Sequence, residues 1–240
     1  MKYHINTIPL WDAVKKETEC PICSIREDLE EKYLDVYLGG AVMEPDVRKQ
    51  TNEKGFCARH YRGLYEKQNR LPVGLMTHIR LWSINNDIAP LMDNIFKDSV
   101  KKDKKKETLK LNKLIDELSS SYESCVICDR IKKDLEQYIY TLTYMWSKER
   151  EFRDALKVSK GFCIEHFGCV LASARDNMKQ KDKTVFIPMV INLQKENLQR
   201  MEQEIKWFTD KFDYRNQKEP WGNSHDALPR VIGKLSGRKP

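Results

Sequence analysis

The sequence predicts an all-α protein built from a duplicated helical unit. Apolar residues recur at three- and four-residue spacing almost throughout, glycine and proline are sparse (10 and 9 of 240 residues), and one cysteine–histidine signature occurs twice. Cys20-Pro21-Ile22-Cys23 is followed by Gly55-Phe56-Cys57-Ala58-Arg59-His60. Cys125-Val126-Ile127-Cys128 is followed by Gly161-Phe162-Cys163-Ile164-Glu165-His166. The copies are offset by 105 residues at the first half-site and 106 at the second, so they differ by one inserted residue. No strand-like alternation and no βαβ pattern competes with this reading.

Taken in order, Leu10 and Val14 lead into the first cysteine pair. Ile25, Leu29, Tyr33 and Val36 then mark one helix face that stops at Gly39-Gly40. Glu44-Pro45-Asp46 opens a short helix to about Asn52, with proline tolerated in a first turn. Gly55 breaks it, and Cys57 to Asn69 reads as the next helix, carrying His60 and Leu64. Pro72 begins a long segment with Leu75, Ile79, Trp82 and Ile88, which Pro90 is expected to interrupt.

The second half repeats the order. Leu111, Leu114, Ile115 and Leu118 precede its cysteine pair, and Ile131, Leu135, Tyr138, Ile139 and Leu142 form the stripe after it. Tyr33 and Tyr138 each lie 13 residues past the first cysteine of their copy, and Arg48 and Arg153 each lie 28 past it. A long helix from about Thr184 carries Val190, Leu193, Asn197, Met201, Ile205, Phe208 and Phe212 on its inner side. The division expected is residues 1–100 as the first repeat, 101–106 as a lysine-rich linker, 107–212 as the second repeat, and 213–240 as a C-terminal loop and helix packed on the body.

The signature consumes six of the seven cysteines and two of the five histidines. Two cysteines three apart at a helix start can face one ion, and so can a Cys-x-x-His pair on one helix face. Two Cys3His sites follow, each expected within its own repeat: Cys20, Cys23, Cys57 and His60, then Cys125, Cys128, Cys163 and His166. Zn²⁺ is the simplest occupant. Four protein ligands leave no position for a water, and Glu165 in one copy is Arg59 in the other, so the sites read as structural. A Cys3His-ligated iron–sulfur cluster is a second reading, and thiol redox chemistry a third. Cys-Pro-Ile-Cys lacks the preceding strand of a thioredoxin-like motif. Cys169 reads as a small core residue, the alternative being a spare thiol that replaces a ligand on oxidation.

A third of the residues are charged, the net charge is +7, and no apolar run approaches the roughly 20 residues that span a bilayer. Met1 to Leu10 shows no signal-peptide pattern, so the expected location is cytoplasmic, where paired cysteines bind metal rather than form disulfides. His4, His78 and His225 have no ligand-spaced partners, and no Ser-His-Asp order, phosphate loop or dinucleotide fingerprint suggests an enzyme.

The stretch from Phe212 to Ser224 is rich in groups that stack and hydrogen-bond. Tyr214, Arg215, Trp221 and Asn223 there are candidates for contacting a partner. The alternative is structural: Trp221 packs the loop down, and Asn223 or Ser224 caps a last helix, Asp226 to Leu235. The doubled Cys-x-x-Cys…Gly-Phe-Cys-x-x-His with the Phe-Asp-Tyr-Arg-Asn…Pro-Trp-Gly-Asn…Asp-Ala-Leu tail resembles an uncharacterised family from Firmicutes. Some of its members carry an automatic label of ABC-transporter substrate-binding protein. The resemblance implies no activity or substrate, and the sequence near Met1 offers that label neither an export signal nor a lipid-anchoring cysteine.

Three function classes remain in view, one of them the iron–sulfur or thiol redox protein that the cysteine clusters allow. Another is a zinc-stabilised helical binding or adaptor module. The third is a nucleic-acid-associated regulator that would use Lys101–Lys106 and Arg230–Lys239.

Overall fold

The computed structural model describes residues 4–100 and 104–238. Among them there is no strand, and no helix is long and apolar enough to cross a membrane. Eleven α-helices follow in order: α1 His4–Lys15, α2 Pro21–Leu38, α3 Pro45–Lys54, α4 Ala58–Glu66, α5 Arg70–Val100 and α6 Lys104–Glu123, then α7 Val126–Lys148, α8 Arg150–Lys157, α9 Ile164–Asn177, α10 Gln180–Asp210 and α11 Ala227–Ser236. Short 3₁₀ turns at Gly40–Met43, Tyr214–Asn216 and Gly222–Ser224 complete the path.

Helix starts and stops follow local chemistry. Pro21 and Pro45 occupy first helical positions, where a missing N–H costs nothing. Gly55 ends α3 with φ of +63°, which a residue with a Cβ adopts only under strain. Pro90 does not break its segment: α5 runs straight through it, and α10 through Pro188. Asn86, whose carbonyl loses its helical donor to Pro90, is exposed, so water can satisfy it.

The chain forms two compact units, and they do not follow the sequence repeats. One is continuous, Leu29–Lys132; the other combines Met1–Asp28 with Lys133–Pro240. Helices α2 and α7 therefore contribute their first turns to one unit and the remainder to the other. The lysine run expected as a linker is in part helical, since Lys104–Lys106 form the first turn of α6; residues 101–103 lie outside the described residues.

In the continuous unit, Tyr37, Phe56, Leu64, Met76 and Ile127 form the core, and Phe56 meets Tyr37 and Tyr61 edge-on at 5.5 and 5.3 Å. Helices α5 and α6 pack along each other as an antiparallel hairpin. Asp98 pairs with Lys110 at one end, and Arg80 donates to the Ser121 carbonyl at the other.

In the discontinuous unit, Leu10, Ile22, Leu142, Met145, Phe152, Phe162 and Phe186 are fully enclosed. Trp11 meets Phe152 and Trp146 meets Phe186 edge-on, at 5.2 and 5.0 Å. The expected inner face of α10 is right at Val190, Leu193 and Met201, but Phe212 lies beyond the helix end and is exposed. The last helix starts at Ala227 with Asp226 as its N-cap residue, in place of Asn223 or Ser224.

Candidate metal centres

The eight predicted ligands do form two Cys3His groups, but the pairing is crossed. One group is Cys20, Cys23, Cys163 and His166; the other is Cys57, His60, Cys125 and Cys128. The first lies wholly in the discontinuous unit and the second wholly in the continuous one. Each cysteine pair is thus matched with the Cys-x-x-His of the other copy, which corrects the expectation of one site per sequence repeat. The within-copy loop from Cys23 to Cys57 is far shorter than the 143 positions from Cys23 to His166. Loop-closure entropy grows only with the logarithm of length, so this difference favours the sequential pairing by about 1 kcal/mol. Helix packing outweighs it.

Every group is assembled from two helix N-termini. Cys20 and Cys125 immediately precede α2 and α7, while Cys57 and Cys163 are the N-cap residues of α4 and α9. Cys163 Sγ accepts a hydrogen bond from the His166 backbone N–H at 3.4 Å. Free N–H donors and the positive ends of helix dipoles suit a cluster of thiolates.

The distances test whether an ion fits. Zinc with Zn–S of about 2.3 Å and Zn–N of about 2.0–2.1 Å at tetrahedral angles requires S···S edges of about 3.8 Å and S···N edges of about 3.5 Å. His166 Nδ1 lies 3.5, 3.3 and 3.2 Å from the sulfurs of Cys20, Cys23 and Cys163. His60 Nδ1 lies 3.3, 3.1 and 3.4 Å from those of Cys57, Cys125 and Cys128. Cys57 and Cys128 sulfurs are 3.8 Å apart. In each group all four ligand atoms lie within 4.8 Å of one another, so each could hold a metal ion.

Hydrogen bonding from Cys128 pulls the Cys125 thiol down to about 3 against the opposing effect of burial, with a further hydrogen bond from His60. The same contact pushes Cys128 up. Burial opposes the Cys20 thiolate, yet hydrogen bonds from Cys163 and Cys23 hold it well below the ordinary thiol range, while Cys23 is pushed up by its bonds to Cys163 and Cys20. Burial works against a charged His60, but hydrogen bonds with Cys125 and Glu30 raise it to about 9. One thiol of each cluster, Cys20 and Cys125, is thus biased toward the thiolate that a metal requires.

The surroundings of the two groups differ. His60 Nε2 faces Glu30 Oε1 at 3.4 Å, and Arg59 donates to Glu30 Oε2 at 2.7 Å. A carboxylate behind a ligand imidazole fixes its tautomer and ring orientation. His166 Nε2 is buried without a hydrogen-bond partner among the described residues. Around that group Arg26 takes over, reaching Cys23 Sγ at 3.7 Å and Glu165 Oε2 at 3.2 Å. Gly237, at φ +70°, closes over it: a Cβ there would come within 2.9 Å of Glu165 Oε2 and 3.5 Å of Cys163 Sγ. A cavity of about 410 Å³ opens beside Cys20 and Cys23, with Lys16, Glu19 and Lys234 in its wall.

Both Gly-Phe-Cys turns are braced, by different means. Gln194 bonds both backbone groups of Phe162, accepting from its N–H at 3.0 Å and donating to its carbonyl at 2.9 Å. The buried Lys234 donates to the carbonyls of Lys160 and Glu19 at 2.5 and 2.8 Å. In the other group Ser124 donates to the Lys54 carbonyl at 2.7 Å, and the Val126 N–H donates to the Gly55 carbonyl at 3.1 Å. Pro21, at the position of Val126, has no N–H to offer. Glu30, Arg26, Gln194, Lys234 and Gly237 were not legible as site residues, because none stands at ligand spacing; Arg26, three residues past Cys23, offered the nearest signal.

The family profile of DUF6062, a family of unknown function, matches residues 1–240. The chain belongs to DUF6062. No curated protein and no solved structure matches it.

Cys169 is exposed on α9 rather than in the core. Of the candidate partner residues, Tyr214 and Arg215 are exposed, Arg215 pairing with Asp213 at 2.6 Å. Trp221 leans on Phe208 at 5.8 Å, and the Asn223 carbonyl accepts from Arg230 at 2.5 Å. Beneath this loop the buried Lys211 donates to the carbonyls of Asn216, Gln217 and Glu219 at 2.6, 2.9 and 2.5 Å. Of the basic C-terminal stretch, Arg230 is engaged by Glu19 and Glu204, Lys234 is buried, and Lys239 lies outside the described residues.

Proposed function

We propose that the protein is a helical binding module whose two units are each closed by a structural zinc ion. The observation that carries this reading is the closeness of the sulfur–nitrogen separations in both groups, and of the Cys57–Cys128 sulfur–sulfur separation, to the edges of a zinc tetrahedron. Cys20, Cys23, Cys163 and His166 would hold one ion, and Cys57, His60, Cys125 and Cys128 the other. Bound zinc supplies a cross-link: four filled positions leave none for substrate or water. The chain's own residues provide two deprotonatable thiol clusters at paired helix N-termini, and a carboxylate behind His60.

The same reading treats the chain as a duplicated unit with exchanged halves. Cys57 and Cys163 both cap helices, and Gly55 and Gly161 both turn with positive φ, at +63° and +72°, which supports equivalent local structure in the two copies. The partner surface proposed is the loop following α10. Phe212 and Tyr214 stand exposed there, on a backbone that Lys211 holds in place. Exposed aromatic groups on a fixed loop present contact area at little entropic cost.

Elemental analysis of protein purified from its host tests the metal assignment. Two equivalents of zinc per chain and a colourless solution are expected. Iron with absorbance near about 400 nm would replace zinc by an iron–sulfur cluster, and metal-free folded protein would end the proposal.

A further inference from the structure

We propose that the α5–α6 hairpin is the contact surface for a second copy of this chain, with α6 running antiparallel to the α6 of that copy. This goes beyond the metal assignment and does not depend on it. Three observations on the continuous unit meet here.

The first is an apolar stripe left in water. Along α5, Leu71, Leu75, Trp82, Met92, Phe96 and Val100 are all exposed, Trp82 at 61% and Phe96 at 72%. Leu75, Trp82 and Phe96 fall on one heptad position and Leu71 and Met92 on the other, with His78, Asn85 and Ala89 interrupting the stripe at its middle. Along α6, Leu111, Ile115, Leu118 and Tyr122 repeat the four–three–four spacing and are exposed as well. Leu114, between them, is the buried residue that faces inward. At about 100° per residue, the α6 stripe turns about a quarter-turn from Leu114, and Met92 and Phe96 turn about a quarter to a third of a turn in the same rotational sense from the line of Ile88 and Asp98. Leu71, Leu75 and Trp82 instead turn nearly half a turn, toward the back of α5. In an antiparallel pair that puts the α6 stripe with Met92 and Phe96 on one side of the hairpin.

The second is the size of this face. With full areas of roughly 150–250 Å² for large side chains, the α6 stripe with Met92 and Phe96 leaves on the order of 700 Å² in water. A stable dimer needs about 800 Å² from each partner, and the largest apolar patch on a typical monomer is about 300–600 Å².

The third is charge, and it selects the occupant. The N-terminal half of α6 carries Lys104, Lys105, Lys106, Lys110 and Lys113 against Glu107; the C-terminal half carries Asp116, Glu117 and Glu123 with no cation. That order opposes the helix dipole, so it does not serve the helix's own stability. It does serve an antiparallel copy of the same helix. A two-fold axis beside Leu114 and Ile115 sets Leu111 opposite Leu118 of the other copy and Lys113 opposite Asp116. The lysine half of each helix then faces the acidic half of its neighbour, as an isologous contact requires.

The test is the mass of the full-length protein in solution, by sedimentation or light scattering. The wild type is expected at twice the 28.4 kDa of one chain, and Phe96→Glu with Ile115→Glu at the mass of one chain with unchanged helical circular dichroism. Two charge variants address the register. Asp116→Lys/Glu117→Lys/Glu123→Lys and Lys104→Glu/Lys105→Glu/Lys113→Glu should each self-associate at least about tenfold more weakly than wild type, and should pair with one another when mixed. Wild-type protein at the mass of one chain up to about 100 µM overturns the proposal, and this measurement needs no variant. A wild-type dimer that the charge variants leave intact overturns the antiparallel register.

Discussion

The crossed pairing of ligands makes a prediction that two double substitutions decide. Cys20→Ser/Cys163→Ser removes two ligands from one group and none from the other; Cys20→Ser/Cys57→Ser removes one from each. Treating each metal centre as a cross-link in the unfolded chain, closing the 143 positions from Cys23 to His166 contributes about 5 kcal/mol, and closing the 65 from His60 to Cys125 about 4 kcal/mol. Typical domain stability is about 5–15 kcal/mol. The first variant should keep one zinc equivalent and a folded Leu29–Lys132 unit, with amide-exchange protection lost around Cys20 and Cys163. The second should lose about 9 kcal/mol, both zinc equivalents and cooperative unfolding altogether. Elemental analysis gives the stoichiometry, and urea unfolding followed by circular dichroism gives the stability. The reverse result, one equivalent retained in Cys20→Ser/Cys57→Ser and none in Cys20→Ser/Cys163→Ser, would refute the crossed pairing and restore one site per repeat.

Glu30→Gln weakens the partner of His60 Nε2 and should lower zinc affinity about 10–100-fold at that centre alone, read by chelator competition in which one of two equivalents is released early. Gln194→Ala strips both backbone groups of Phe162 of their partner and should cost about 2–4 kcal/mol in urea unfolding; Gly161→Ala, which needs φ of +72° and places a Cβ 2.9 Å from Gln194 Oε1, should also destabilise, by about 1–3 kcal/mol. Lys211→Met leaves three carbonyls without their shared donor and should open the loop to limited proteolysis between Phe212 and His225, with the metal content unchanged. An unchanged cleavage pattern would show that Trp221 and Arg230 hold the loop unaided.

Local chemistry made much of the fold readable. The helix after Cys23 stops where Gly39-Gly40 says it should, and Pro45 and Gly55 bound α3 as a helix-starting proline and a positive-φ glycine do. Pro90 misled because the cost of a proline inside a helix, about 3 kcal/mol, is small beside the packing along a 31-residue helix. Cys169 misled because a small apolar residue at helical spacing reads as core whichever way its helix is turned. The braces of the metal groups stayed hidden for a related reason. Gln194 lies 32 residues from Phe162, and Lys234 lies 74 from Lys160. No spacing rule reaches that far.

The sequence by itself picked out the eight side chains that gather in the two Cys3His groups, since Cys-x-x-Cys at a helix start and Cys-x-x-His on a helix face are local geometries, fixed by the pitch of one turn. It also determined that the described chain is helical. Only the tertiary structure decided which half-site meets which. Either cysteine pair fits either Cys-x-x-His equally well, and loop entropy separates the pairings by little more than about 1 kcal/mol. The choice falls to long-range packing: α2 and α7 each carry the chain out of one unit and into the other, so that each Cys-x-x-Cys arrives beside the Cys-x-x-His of the opposite copy.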